Sequence, residues 1–586
     1  LILNRNTNAH FAEIPSAEIQ RSTFDRSFSH KLSGNVGDCI PVFFDEILPG
    51  DTVVMDTSKI IRFQTMLSPV MDNIYADFYW FFVPNRLVWD HWQNLMGENT
   101  ASHWAPEAQY STPLISVPAH AGEGDTPNNN KVGTILDYLG FPVELSDQTD
   151  PIEISALPVR GYCKIMNDWF RSENLQDAIN IYTGDSTVSA TTEESYINDI
   201  PHGGAPFKAG RFADYFSAAL PGAQKGDPVS IITDVQGSGA RLPVIPIEAS
   251  TAQYMTVDIN KTAPMVMMDT YGVGANFKYH NVYTTSAGVY DDAYNSSSAA
   301  PFSTFQAAFD DAYGSANAAK APVNLWAETS INNAIGEIGI NINDLRYAFQ
   351  LQKLLERDAR GGSRYIEIIK SHFGVNSPDQ RLQRSEYLGG NRFPVNITQV
   401  ANQAQAETEF LGDLGAFSVT ADTHSDFTKS FTEHGMLYCI MVLRYDHTYS
   451  QGVPKYFKRS DRFSYYWPVF ANIGEQPIDK SEIYGTATGT WGYQEAWADY
   501  RYKPNICSGE MRPYVSNGLF SWTLADDYSE APTLSGEWLQ EDKTNVDRVI
   551  SVTSAIANQF WADIYFNFKH TRPMPVYSVP GLIDHN

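Results

Sequence analysis

Short apolar runs separated by turn-forming residues fill both ends of this chain, and their spacing predicts strands. WADIYFNFKH at 561–570 alternates with period two, placing Trp561, Asp563, Tyr565 and Asn567 on one face and Ala562, Ile564, Phe566 and Phe568 on the other. CIPVFF at 39–44 and MLYCIMVLRY at 436–445 are continuous apolar runs, and LPGDT at 48–52 has the Pro and Gly-Asp of a tight turn. The densest run is DFYWFFVPNRLVWDHWQNLMGE at 77–98, where seven of 22 residues are Phe, Tyr or Trp. Phe78 to Val83 does not alternate, which predicts a strand covered on both faces, by its own fold or by a neighbour. Pro84 ends it, because proline cannot donate to a ladder. Asn85 can then cap a helix in which Leu87, Val88, His91, Trp92 and Leu95 recur at helical spacing up to Gly97.

Helical periodicity is strongest in NDLRYAFQLQKLLERDARGG. Asn343 can cap it, Leu345, Phe349, Gln352 and Leu355 form an inner row, Glu356 can pair with Arg360, and Gly361-Gly362 stops it. RYIEIIKSHFG predicts a short helix after it, and residues 160–182 predict another amphipathic one. Between these lies a change of character. Residues 226–335 hold four Lys/Arg against ten Asp/Glu, and SSSAAPFSTFQAAF at 296–309 is low in complexity. This reads as a large loop-rich insertion. Strands before and after such a middle predict one β-assembly built from distant segments.

Composition narrows the class. With 43% hydrophobic residues the 586-residue chain can fill a real core, and its 32 Tyr and 32 Phe suit pleated sheets. A formal charge of −27 argues against coating nucleic acid unaided or docking on anionic lipid. Cys39, Cys163, Cys439 and Cys507 are far apart and form no CxxC, which predicts free thiols. No apolar run is long enough for a membrane span, so no membrane insertion is expected, and LILNRNTNAHF shows no secretory leader.

Catalytic signatures are missing from the sequence. There is no G-x-S-x-G, no P-loop and no H-E-x-x-H. YGVGANF at 271–277 lacks the third glycine of a dinucleotide loop, and GGSRY at 361–365 reads as a helix stop and restart. His424, His434 and His447 have no metal-ligand spacing, and the Glu-His of FTEHG lacks a nucleophile or metal beside it. Acidic pairs such as Asp291-Asp292, Asp310-Asp311 and Asp526-Asp527 read as solvated turns. No cofactor, metal or catalytic residue is expected. Two segments oppose the acidic total. Residues 344–392 hold nine Lys/Arg against six Asp/Glu, and 444–467 hold five against two. The second interleaves Lys455, Tyr456, Phe457, Lys458, Arg459 and Arg462 with further rings. That composition suits weak, sequence-independent single-strand binding, with cations for phosphate and rings for bases, and it equally suits a protein–protein contact. Trp80, Trp89 and Trp92 are the candidates for a core or a subunit interface.

HFAEIPSAEIQRSTFDRSFSHK at 10–31, FFDEILPGDT at 43–52, MDNIYADFYWFFVPNRLVWDHWQNLMGE at 71–98, LQKLLERDARGGSRYIEIIKSHFGV at 351–375, RLQRSEYLGG at 381–390, FTKSFTEHG at 427–435, YRYKP at 500–504 and RPMPVYSVPGLIDH at 572–585 resemble the major capsid proteins of gokushoviruses, small single-stranded DNA bacteriophages of the Microviridae. The blocks run in order along nearly the whole chain; 226–335 matches nothing firm. The resemblance implies a mainly β fold, an eight-stranded jelly-roll β-barrel with long loop insertions and a few short helices. Residues 1–225 and 336–586 would supply its two parts, and 226–335 would project at the threefold axes. It further implies a T=1 icosahedral shell of identical subunits around a circular single-stranded DNA genome, assembled in the host cytoplasm. Implied partners are an internal scaffolding protein, a DNA-pilot protein, a small basic DNA-associated protein and a host cell-surface receptor. Two readings from other classes are a carbohydrate-active β-sandwich enzyme, which needs paired carboxylates in an aromatic cleft, and a receptor-binding fibre, which would show internal repeats that this chain lacks.

Overall fold

The computed structural model describes residues 20–98, 110–117, 132–142, 151–189, 199–226, 364–376, 378, 383–401 and 414–577, with six strands and one helix placed between 241 and 361. In chain order the strands are β1 (Ser22–Asp25), β2 (Phe28–Gly34), β3 (Ile40–Ile47), β4 (Thr52–Phe63), β5 (Ile74–Pro84), β6 (Leu114–Val117), β7 (Ile152–Ser155) and β8 (Val188–Ser189). There follow β9 (Arg241–Val244), β10 (Met265–Asp269), β11 (Lys278–Thr285), β12 (Gly288–Ala293), β13 (Ala300–Pro301) and β14 (Leu325–Glu328). The last are β15 (Glu386–Pro394), β16 (Ile397–Ala401), β17 (Leu414–Ser430), β18 (Gly435–Tyr445), β19 (Thr448–Tyr449), β20 (Glu475–Asp479), β21 (Thr490–Glu495), β22 (Asn505–Ile506) and β23 (Phe560–Arg572).

Two antiparallel sheets carry the fold, so the protein is mainly β. One has the order β15–β5–β18–β3; the other runs β1–β23–β4–β17–β16, with β2 also pairing β23. Strands from both ends of the chain interleave: β4 lies between β17 and β23, and β5 between β15 and β18. The chain passes from sheet to sheet at β2–β3, β3–β4, β4–β5, β15–β16 and β17–β18. The β3–β4 crossing is the LPGDT turn. Asp51 accepts the Leu48 N–H at 2.8 Å, and Gly50 takes φ +91°, which a side chain would resist.

The inward faces of the two sheets make one core. Alternation sets it up: β23 buries Phe560, Ala562, Ile564, Phe566 and Phe568 and turns Trp561 and Tyr565 outward, as its period-two pattern predicts. These meet Phe78, Trp80 and Phe82 of β5 and Leu437, Cys439 and Met441 of β18. The other face of the four-stranded sheet is also covered. Phe81, Val83, Tyr438 and Ile440 enter a second core with Ile115, Val117, Ile135 and the helix Leu157–Ile165. The doubly apolar run at 78–83 therefore has both faces covered within its own chain. Helix and sheet meet closely at Gly161, where an added Cβ would run into the Tyr438 hydroxyl. A third cluster, Phe216, Tyr449, Trp491 and Trp538, gathers around β19–β22 and β20–β21.

Residues Val229–Phe349 form a separate compact unit from Leu1–Pro228 with Gln350–Asn586. Its described elements include the antiparallel order β10–β11–β12–β13 and the pair β9–β14. The stretches 296–299, 302–309, 271–277 and the pair Asp310-Asp311 lie outside the described residues.

The helices depart from expectation in specific ways. The long one spans Ile342–Gly361, starting one residue ahead of Asn343, and Phe349 of its expected inner row is exposed. Glu356 does not pair with Arg360: it accepts from Gln352 at 2.9 Å, while Arg360 pairs with Glu475. The helix expected over 160–182 ends in a π turn, Met166–Phe170. Asn167 then brackets the backbone of Ile179 with two hydrogen bonds, holding the following chain in irregular form. After β5 the expected helix shrinks to one 3-10 turn, Asn85–Leu87, and one α turn, Trp92–Leu95. Between them the Asp90 N–H leaves the helical pattern and donates to the Thr183 carbonyl at 3.0 Å.

Candidate assembly surface and buried charge network

The three tryptophans occupy different environments. Trp80 is fully buried between the sheets, with ring centroids 5.1 Å from Phe43 and 5.3 Å from Phe427. Trp89 is fully buried in the second core, and its indole N–H donates to Asp185 at 2.7 Å. Trp92 is half-buried at the rim, edge-on to Trp89 at 6.3 Å and to His434 at 5.6 Å.

The cation-rich segment folds into 3-10 turns at Lys455–Phe457, Arg462–Ser464 and Pro468–Phe470. Its cations are unequal. Arg459 forms an ion pair with Asp499 and lies over the Tyr500 ring at 4.2 Å. Lys458 donates to Ser481 and sits 3.8 Å from Asp479. These two are paired within the chain. Tyr456 and Phe457 stay exposed with ring centroids 4.5 Å apart, and Arg462 lies over the rings of Phe463 and Trp467 at 5.1 and 5.7 Å.

Asp526 is not in a solvated turn. It is buried in a network that no sequence spacing announces, because its members come from distant segments. Arg211 donates to Asp526 at 2.6 Å; His447 bridges Asp526 through Nδ1 and Glu541 through Nε2, both at 2.9 Å. Asn545 and Tyr528 also donate to Asp526, at 2.7 and 2.6 Å. Burial disfavours charge here, yet His447 and Arg211 hold the Asp526 carboxyl well below its usual range. Burial likewise opposes an imidazolium, but Asp526 and Glu541 outweigh it and lift His447 to about 9. With both ring nitrogens facing carboxylates, the arrangement is a charge clamp that fastens loop, strand end and C-terminal segment together.

The other candidates are absorbed structurally. Glu433 of FTEHG pairs with Arg86 at 2.7 Å. Arg364 of GGSRY donates to the Asn167 and Arg171 carbonyls. All four cysteines are buried and unbridged. Among the described residues no group of three or more His, Cys, Asp or Glu could hold a metal ion, and no helix is long and apolar enough to cross a membrane.

A two-sheet scaffold with exposed aromatic side chains such as Tyr456 and Phe457 suits contact with other macromolecules. The profile of the family described as "Capsid protein (F protein)" matches residues 12–582, and the chain belongs to that family. It is similar to "Capsid protein VP1" of Spiroplasma virus 4, at 35% identity over 98% of this chain and 98% of that one. "Capsid protein VP1" of Chlamydia phage 1 is 34% identical over 98% of this chain and 97% of its own, and that of Bdellovibrio phage phiMH2K 34% identical over 99% and 98%. These relatives are the gokushovirus capsid proteins that the sequence blocks resemble. The chain is a structural capsid protein of a Microviridae bacteriophage, located in the virion capsid and self-associating; it is not an enzyme.

Proposed function

We propose that this chain is the subunit of a T=1 icosahedral shell enclosing a circular single-stranded DNA genome. The observation that carries the reading is the whole-length similarity to capsid proteins joined to sheets built from both chain ends. Repeated crossing between facing sheets supports a jelly-roll barrel, the strands of the two sheets exceeding an eight-strand plan by two. The separate unit around 226–335 supports an insertion that projects at the threefold axes and contributes to host attachment. Internal scaffolding, DNA-pilot and small basic DNA-associated proteins complete the particle, which assembles in the host cytoplasm, and the attachment partner is a cell-surface receptor. Direct contact with single-stranded DNA is weak and sequence-independent, through the exposed rings of Tyr456 and Phe457 with Lys455 beside them.

Electron cryomicroscopy of the purified chain tests the reading. Uniform icosahedral shells with T=1 geometry are the expected result, and monomers or open sheets under every assembly condition would overturn it. Removing residues 226–335 should leave shells intact but reduce attachment to host cells; insoluble protein from every such deletion would place the segment in the core.

A further inference from the structure

The aromatic face formed by residues 463–470 with Tyr500 has no role yet. Phe463, Tyr465, Tyr466, Trp467 and Tyr500 are all exposed, and Val469 is 88% exposed. Soluble surfaces seldom gather so much apolar area without a partner. The face is also rigid. Asp461 accepts the N–H groups of Phe463 and Ser464 at 2.7 and 2.9 Å, and buried Trp497 donates to the Phe470 carbonyl at 2.9 Å. Tyr466 packs against Trp497 and Tyr500, with centroids 5.7 and 6.2 Å away. Rings held in place lose little entropy when they dock.

Charge decides which partner fits. Residues 455–503 hold seven Lys/Arg against six Asp/Glu, in a chain of net charge −27. Two such chains repel almost everywhere, so contact between copies is least opposed where the charge cancels. Within this segment Arg459, Lys458 and Arg501 already face Asp499, Asp479 and Glu495. Three of the seven cations are thereby spent within the chain, and a basic partner finds no acidic surplus. What remains is an aromatic patch carrying Arg462, a composition that protein–protein interfaces favour.

We propose that this face docks a second copy of the chain, forming one of the contacts between shell subunits. The inference rests on the capsid reading and adds the surface through which copies meet. Assembly of the full chain tests it. Wild-type protein should form shells, whereas Phe463→Ser/Trp467→Ser should stay folded, with unchanged circular dichroism and melting, and yield at least tenfold fewer shells by sedimentation. Val469→Cys supplies a second measurement that does not depend on the double variant folding: the thiol should alkylate rapidly in free subunits and at least tenfold more slowly in shells. Double-variant shells at wild-type yield, or equal alkylation in both states, would overturn the proposal. Shells at normal yield but with less nucleic acid would assign the face to the genome instead. Wild-type chain that never assembles would remove the capsid reading, and this contact with it.

Discussion

At the residue scale, burial and charge pairing separate the side chains that the sequence could only group. Trp89 and Trp92 look alike in sequence, yet one is fully buried and the other half-buried at the rim. Trp89→Ala should therefore cost about 3–5 kcal/mol, and Trp92→Ala clearly less, in urea unfolding of the isolated subunit. Equal losses would mean that the rim ring is as tightly packed as the core one. His447 makes a pH prediction. Its folded pKa, about 9, lies above the ordinary 6.5, so its clamp contributes fully below pH 6.5 and is lost as pH rises through 9. The contribution is on the order of 3 kcal/mol. Wild-type stability should fall between pH 6.5 and 9.5 more steeply than that of His447→Gln, and identical profiles would show that the imidazolium adds nothing. The clamp is not legible in the sequence, because Arg211, His447, Asp526 and Glu541 meet only through the fold. Asp526-Asp527 looked like any polar turn.

At the element scale, strands were legible where one local rule decided them. β23 announced its faces by alternation, β5 and β18 their double burial by its absence, and the β3–β4 turn its bend by Pro, Gly and Asp. Helices were legible only where no tertiary contact competed. The segment after β5 has helical spacing, but its Asp90 N–H bonds to the Thr183 carbonyl, and such a tertiary contact outweighs propensities worth tenths of a kcal/mol per residue. Residues 171–182 are irregular instead of helical, and the Asn167 side chain satisfies the N–H and carbonyl of Ile179. Packing of the helix Leu157–Ile165 on β18 depends on a missing side chain at Gly161. Gly161→Ala should lower stability by about 1–3 kcal/mol despite alanine's better helix propensity, because the new methyl must displace the Tyr438 hydroxyl, which donates to the Pro158 carbonyl at 2.7 Å. A stabilised variant would show that the helix can shift without loss.

At the scale of the whole molecule, the net charge of −27 sets a condition on assembly. Copies meeting in a shell bring their charges within a few ångströms, and at about 0.01 M salt the Debye length of roughly 30 Å leaves that repulsion almost unscreened. At about 0.1 M it shrinks to roughly 10 Å, and only charges near a contact still oppose one another. The apolar component of the contact moves the other way, since burial of rings is insensitive to moderate salt and is strengthened by sulfate. Genome-free assembly should therefore increase with ionic strength, and more in sodium sulfate than in sodium chloride at equal ionic strength. Light scattering at fixed subunit concentration measures this. Phe463→Ser/Trp467→Ser should keep the screening response, which belongs to the whole molecule, but lose much of the added response to sulfate, which belongs to apolar contact. If salt instead dissolves wild-type shells, ion pairs between copies outweigh both effects. The acidic surface would then be bound by basic groups of neighbouring subunits, not merely tolerated.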